Sequence, residues 1–275
     1  MLRKIGLFVI FIFACNGANA QGYKTSLELG VYGGGSYYLG DINPNKHFVY
    51  SKPAFGAIVR YNLTKRFSLR FNGKYGSVYG NDSDSDDRFQ QTRNLSFQSK
   101  IIEASFGCEI DMFKYNINDM RFPITPYFFY EVAYMRMNPM GTIDGEEYAL
   151  NSLGTEGQGT PLNSDNPYSL NQLTIPLGIG VKFNLKKRVA MSFEYGIRKT
   201  FTDYLDDVSG NYVNSTALAA LSGPLAAQFA DPSTTSFDRA GTNRGNPGTK
   251  DWYVFYGAMI TFKPFKKDIC EMRGF

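Results

Sequence analysis

The segment 56–71, GAIVRYNLTKRFSLRF, returns in recognisable form at 178–193 as GIGVKFNLKKRVAMSF. Each copy is an alternating stretch, a short basic turn and a second alternating stretch, the pattern of a β-hairpin used twice. In the first copy Phe55, Ala57, Val59, Tyr61, Phe67, Leu69, Phe71 and Tyr75 share one face. Arg60, Asn62, Ser68, Arg70, Asn72 and Lys74 share the other. In the second copy Leu177, Ile179, Val181, Phe183, Val189, Met191, Phe193, Tyr195 and Ile197 oppose Lys182, Asn184, Ala190, Ser192, Glu194 and Arg198. One face is apolar and the other is charged, so the fold depends on which of them meets water.

The N-terminus decides between compartments. Arg3 and Lys4 precede an apolar run from Ile5 to Ala14, and Ala18, Asn19 and Ala20 offer small residues where a signal peptidase reads. Residues 1–20 are therefore expected to be a cleaved signal peptide, with the mature chain beginning at Gln21. A lipoprotein reading through Cys15 is disfavoured by the bulky Phe13 two positions earlier. Beyond the signal no apolar run approaches the roughly 18 residues of a spanning helix, whereas a spanning strand needs only about 9 to 11 alternating residues. An aromatic content of 16% suits the girdles of such a barrel.

Period and turn signals predict eight strands, at 25–39, 53–63, 67–80, 95–113, 125–138, 171–185, 189–204 and 252–262. The fold class expected is all-β: an eight-stranded antiparallel transmembrane β-barrel over 21–265, with a tail at 266–275. Connectors alternate long and short, which in outer-membrane barrels means long extracellular loops and short periplasmic turns. Both termini are then periplasmic, and the location expected is the outer membrane of a Gram-negative bacterium. Pro176 inside the sixth strand predicts a local bulge. The run Tyr127, Phe128, Phe129, Tyr130 hides the period of the fifth.

A barrel of this size is filled by its own side chains. Glu28, Arg60, Arg70, Lys74, Glu103, Glu109, Asp111, Glu131, Lys182, Glu194 and Arg198 take inward parity and are expected to pair there, which argues against a wide pore. Removing Arg3 and Lys4 from 29 basic residues leaves 27 against 25 acidic, a formal charge of +2 that argues against a nucleic-acid partner. The mature chain keeps Cys108 and Cys270, too few for a disulfide framework.

Little in the chain carries chemistry. His47 is the single histidine, with no nucleophile or orienting acid placed beside it by spacing. Asp82, Asp84 and Asp86 resemble the start of a calcium loop, but Asp87 stands where glycine is needed and Arg93 where the closing glutamate is needed. The acids Asp82, Asp84, Asp86, Asp87, Asp144, Glu146 and Glu147 are read as solvated rim charge. Asp203, Asp206 and Asp207 are read likewise, with a divalent ion as the alternative. Within the long last loop, 216–230 predicts a helix interrupted at Gly223 and Pro224, either a lid or docking surface or an ordered loop with no role of its own. At the turn end, Lys65, Arg66, Lys114, Arg121, Lys186, Lys187, Arg188, Lys263, Lys266 and Lys267 form a basic rim. No metal, cofactor or small-molecule substrate is expected.

Three segments carry a resemblance. Tyr38-Leu39-Gly40-Asp41-Ile42-Asn43 follows the first strand. Arg198-Lys199-Thr200-Phe201-Thr202-Asp203-Tyr204-Leu205-Asp206-Asp207-Val208-Ser209 leaves the seventh. Arg244-Gly245-Asn246-Pro247 precedes Asp251-Trp252-Tyr253. Together they resemble the PorG-like outer-membrane barrels of the type IX secretion system in Bacteroidetes, over essentially the whole mature length. The resemblance implies a non-enzymatic barrel component of protein transport. Such a barrel anchors a periplasmic ring complex of lipoprotein and soluble subunits at the outer membrane. It marks Asp203, Tyr204, Asp206, Asp207, Arg244 and Asp251 as the family-motif loop. Lys65, Arg66, Lys186, Lys187, Arg188, Lys266 and Lys267 are the candidate contact for the ring. The competing expectations are an adhesion or envelope-integrity barrel acting through its outer loops, a narrow pore, and a lipid-modifying or proteolytic barrel enzyme.

Overall fold

The computed structural model describes residues 25–264, apart from 118, 122 and 234–237. The signal segment, Cys15, Cys270, Lys266 and Lys267 lie outside the described residues. The strands are β1 (Ser26–Leu39), β2 (Lys52–Asn62), β3 (Phe67–Asn81), β4 (Ser96–Asp111), β5 (Ile124–Ile143), β6 (Glu146–Ala149), β7 (Asn171–Lys186), β8 (Val189–Thr200) and β9 (Trp252–Phe262). Short helices α1 (Arg88–Arg93), α2 (Leu150–Leu153), α3 (Ser215–Ser222) and α4 (Pro224–Ala230) sit in the connectors.

Each wall strand pairs antiparallel with the next, skipping the short β6, and β9 closes on β1 from Leu29↔Phe262 to Leu39↔Trp252. The result is a closed eight-stranded antiparallel barrel. Closure removes the unpaired strand edges that a sheet in lipid could not tolerate. No helix among the described residues is long and apolar enough to cross a membrane, a fact that leaves crossing by strands untouched.

The alternation resolves the question of faces. Val31, Phe55, Phe71, Phe106, Val132, Ile179, Phe193 and Ile260 stand at least half exposed on the outer wall, while all eleven inward charges are buried. A soluble barrel would reverse this. An apolar exterior around a charged interior is the arrangement for lipid outside.

Inside, five cations meet six carboxylates. Arg70 bonds Glu109 at 3.0 Å, Glu131 at 2.5 Å and Glu194 at 2.7 Å, while Arg60 bridges Glu28 at 2.9 Å and Glu109 at 3.0 Å. Lys74 joins Glu194 at 3.0 Å, Lys182 joins Asp111 at 2.8 Å and also Glu109, and Arg198 joins Glu103 at 3.2 Å. Inward aromatic rings cover the cations. The Arg70 guanidinium lies 4.3 Å from the centroid of Phe129, and Lys182 lies 5.0 Å from that of Tyr127. These contacts explain why the fifth strand conceals its period: Tyr127 and Phe129 point inward as partners for buried cations, while Phe128 and Tyr130 point to lipid.

Several expectations change in detail. No bulge forms at Pro176. The β5–β7 ladder lapses between Tyr130↔Leu177 and Ala133↔Thr174 and resumes in the same register, so one missing amide is absorbed without an inserted residue. The register shift falls instead between Asn184 and Lys186, beside the tight turn into β8. Strand β5 runs to Ile143 and doubles back as β6 through Asp144 (φ 54°) and Gly145 (φ 85°). That Asp-Gly pair is a strong two-residue hairpin signal, passed over in the sequence because its acids were read as rim charge. Strand β8 ends at Thr200 rather than 204, because the chain beyond it turns inward over the mouth.

Both ends of the barrel are closed. At the turn end, connector 112–123 folds back beneath the wall, burying Tyr115 and Ile117 against Ala190. Asn184 Nδ2 donates to the carbonyls of Asn116 at 2.9 Å and Asp119 at 3.1 Å. At the loop end, Ile42, Leu205, Val208 and Phe229 from the connectors join rim residues Tyr38, Phe97, Met137 and Tyr253 in one apolar cluster.

Candidate functional site

The loop end is a folded cap built on the motif segment. Asp207 adopts a left-handed backbone at φ 68°, a conformation aspartate tolerates better than most residues. One residue earlier, Asp206 Oδ1 accepts the amide of Val208 at 2.9 Å, so its side chain fixes its own turn. Asp203 Oδ2 accepts the Ser209 hydroxyl at 2.7 Å. Asp251, at the start of β9, accepts the amide of Leu205 at 2.9 Å and faces the Tyr38 hydroxyl at 3.1 Å. That hydroxyl also donates to Asp206.

Two arginines clamp the connectors to one another. Arg244 reaches Glu156 Oε1 at 3.1 Å, the Asp207 carbonyl at 2.5 Å and the Ala230 carbonyl at 3.1 Å. Arg93, the last residue of α1, grips Asp82 in a two-point fork at 2.6 and 2.8 Å. Its Nη1 reaches the carbonyl of Arg244 at 2.8 Å, and Nη2, one arm of the fork, also reaches that of Asp41 at 2.9 Å. Glu156 is the acceptor at the centre, taking the amides of Ser209 at 2.9 Å and Gly210 at 3.0 Å. Tyr204 stacks on Tyr168 with ring centroids 4.6 Å apart and donates to Glu156 at 3.2 Å. Tyr168 donates to Asp207 at 2.6 Å.

All of the motif's charged residues, Asp203, Asp206, Asp207, Arg244 and Asp251, are buried, and Tyr204 is half-buried. This corrects the reading of a solvated acidic turn. Their carboxylates face phenols, hydroxyls, backbone amides and arginine, and no cluster of potential metal ligands occurs among the described residues. Burial pushes Asp207 up to about 6 against the pull of Arg244, and pushes Asp203 to about 6. It also raises Asp206, with Asp41 adding to the rise, and Asp251, with Asp206 and Asp203 adding.

Asp82 is likewise buried rather than rim charge. Asp87 caps α1 by accepting the Phe89 amide at 2.8 Å, and Asp86 meets Lys46 at 2.8 Å. His47 engages the Tyr37 hydroxyl at 2.9 Å, which in turn meets that of Tyr195 at 2.6 Å. The interrupted helix forms as α3 and α4, broken at Gly223 and Pro224, and packs Leu218, Ala226 and Ala230 against the cap. Between the first, second and last long connectors lies an open cleft of about 1140 Å³, lined among others by Gly40, Ile42, Lys46, Phe89, Gln90 and Trp252.

Arg93, Glu156 and Tyr168 had no signal in the sequence. Arg93 stood out only as a misfit to a calcium loop, and Glu156 sits in an unpatterned connector. Their roles arise from chain crossings more than 35 residues apart, to which spacing is blind.

The opposite end is different in kind. Lys65, Arg66, Lys114, Lys186, Lys187 and Arg188 are exposed, as is Arg121, which pairs with Asp119 at 2.9 Å. Asp119 is the single carboxylate at that end outside the lumen among the described residues. Two members of the expected rim are otherwise engaged. Lys263 is buried, and the Arg188 guanidinium holds the Lys263 carbonyl at 2.9 and 2.7 Å and also that of Pro264.

The model of a family described as a domain of unknown function, DUF6089, matches residues 3–222. The chain belongs to the DUF6089 family. The DUF6089 match takes in seven of the eight wall strands and ends before Arg244 and Asp251. No curated protein matches the chain. Among solved structures, Neisserial surface protein A (NspA) is similar at 11% identity, with a TM-score of 0.41 over 88% of this chain and 99% of that one. The attachment invasion locus protein Ail of Yersinia pestis, solved with the heparin analogue sucrose octasulfate, is similar at 10% identity and a TM-score of 0.39, over 87% of this chain and 100% of that one. The outer membrane protein OprG of Pseudomonas aeruginosa is similar at 10% identity and a TM-score of 0.37, over 89% and 100%. Likeness at that level is one of general outline.

Proposed function

We propose that this DUF6089 barrel is a non-enzymatic outer-membrane component of the type IX protein secretion machinery. In this reading its turn end faces the periplasm, both termini lie there, and it anchors a ring of lipoprotein and soluble subunits. The observation that carries the proposal is the pairing of a sealed barrel with a basic, exposed turn end. The lumen is filled by mutually paired charges, so transport through it has no path. The charged groups of the cap are bonded within it. At the turn end, by contrast, Lys65, Arg66, Lys114, Lys186 and Lys187 stand exposed with Asp119 as the nearby acid. Such a surface fits an acidic protein partner, and charge of one sign also steers its approach. The likeness of the cap segments to PorG-like barrels supports the choice of machine.

The test reverses Lys65, Arg66, Lys186 and Lys187 to Glu, leaving Arg188 to hold the end of β9. Ring subunits are expected to co-purify with the parent barrel from native outer membranes and to be lost with the variant. Undiminished co-purification with a properly inserted variant removes the proposal. Deleting residues 211–249 addresses the adhesion alternative. Secretion that persists while an attachment phenotype disappears would place the function in the loops.

A further inference from the structure

The Tyr38 hydroxyl sits between two buried carboxylates that belong to different parts of the chain. It donates to Asp206 of the motif segment and lies 3.1 Å from Asp251 Oδ1 at the mouth of β9. The amide of Ile42 also points at it, at 3.4 Å. A phenol has one proton to give. If Tyr38 donates to Asp206 and accepts from Ile42, its contact with Asp251 is favourable only when Asp251 itself carries a proton and donates it.

Packing makes the close approach deliberate. A Cβ at Gly40 would fall 2.0 Å from Asp251 Oδ1 and 2.2 Å from the Tyr38 hydroxyl, so a residue without a side chain is required there.

The surrounding charges decide which acid holds the proton. Asp206 faces Arg93 from α1 as well as Asp41 from the first connector and Tyr38 from β1. Asp251 faces Asp206 and Asp203 from the motif segment and Asp41 from the first connector, all carboxylates, and its second oxygen accepts the amide of Leu205. Burial raises both acids, and the one with Arg93 beside it gives up its proton first, leaving Asp251 as the acid that holds on.

We propose that Asp251, Tyr38 and Asp206 form a proton-held latch, Asp251 donating to Tyr38 and Tyr38 to Asp206, that ties the cap to the barrel rim. Releasing the proton replaces a donor with a second buried anion and frees the motif segment from β9. The direction follows from the raised acid: the latch is closed at low pH and opens as pH rises through the value Asp251 has in the folded protein. Gly40, Ile42 and Trp252, which adjoin the latch, also line the 1140 Å³ cleft, so opening reshapes that cleft.

Trp252, the single tryptophan of the chain, follows Asp251 and reports the latch directly. Its indole lies 4.6 Å from the Lys199 ammonium, a contact common to every variant below. The folded full-length barrel in detergent is examined by infrared spectroscopy at neutral pH and by Trp252 emission between about pH 5 and about pH 9, a span reaching well above the ordinary carboxylate range. The parent is expected to show a protonated-carboxyl band and an emission change as pH rises. Asp251→Asn, whose amide can donate to Tyr38 while its oxygen still accepts from Leu205, should lose the share of both that Asp251 supplies, keeping only what Asp203 and Asp207 contribute. Asp206→Asn, which removes the neighbouring anion, should keep the emission change but move it to lower pH. Asp203 and Asp207, which burial raises to about 6 in the parent, are present in all three proteins, so the readout is the difference between them. A parent without the band, or an Asp251→Asn protein with the same band and titration, overturns the latch. So does an Asp206→Asn transition that does not move.

Discussion

The two ends of this barrel spend their charge in opposite ways. At the loop end, Asp207, Glu156, Asp82, Arg93 and Arg244 are buried and bonded to one another or to backbone. At the turn end, Lys65, Arg66, Lys186 and Lys187 are exposed, and among the described residues the carboxylate outside the lumen there is Asp119. A buried charge must be satisfied within the fold, so its removal is felt as stability. An exposed charge costs the fold little and remains available to a partner. The motif residues that mark the cap are thus bonded within the fold, and the plain lysines at the other end are the surface proposed here to meet a partner.

The largest effect expected is from Arg244→Ala, which leaves Glu156 and Asp207 buried without their cation. Losing one partner of such a pair costs roughly 3–5 kcal/mol. Hydrogen exchange should show it as lost protection in 155–170 and 201–212, with the amides of β3 and β4 unchanged. An effect of similar size is expected from Glu156→Ala, which breaks the same ion pair with Arg244. The amides of Ser209 and Gly210 lose their acceptor at a cost of roughly 1–3 kcal/mol each, before any water replaces it. Urea titration of cap protection would measure that step.

The pH dependence of the cap has a definite sign. Burial raises Asp203 and Asp207 to about 6, so the folded cap binds more protons than the unfolded segment. Its stability should fall as pH rises from the ordinary carboxylate value of about 3.9 through about 6, then level off for these two groups. Limited proteolysis of the last long connector should be slower at about pH 5 than at about pH 8, where both carboxyls are ionised. A cap that loosens on acidification would mean that Arg244 governs Asp207 more strongly than burial does. Tyr168→Phe tests a single bond, the one to Asp207, and is expected to cost about 1 kcal/mol of cap stability.

The smallest effect should come from the other end. Reversing Lys186 and Lys187 to Glu is expected to leave the unfolding free energy within about 0.5 kcal/mol of the parent. If that variant proves as damaging as Arg244→Ala, the distinction between the two ends collapses.

How much of this was legible follows the same division. Strand alternation has a period of two, so Arg60, Arg70, Lys182 and Glu194 could be placed in the lumen from parity alone, and each is buried there. Pro176 misleads because a missing amide suggests an inserted residue, whereas the ladder lapses over two residue pairs and resumes in register. The cap has no period. Asp206 and Asp207 look like any polar turn until a left-handed residue and the distant Glu156, Tyr168 and Arg244 are seen around them. The exposed rim of Lys65, Arg66, Lys186 and Lys187 was readable because tight turns leave their side chains few places to go. Lys263 was not, since its burial depends on how the chain leaves β9.

In the function proposed here, the barrel works through its turn end while its cap holds itself together. Secretion of type IX cargo can be followed in a strain lacking the chromosomal gene and complemented with inserted variants. The account predicts that the Lys65, Arg66, Lys186 and Lys187 reversal fails to restore secretion, while Arg244→Ala restores it despite a loosened cap. Secretion restored by the reversal and abolished by Arg244→Ala would contradict it.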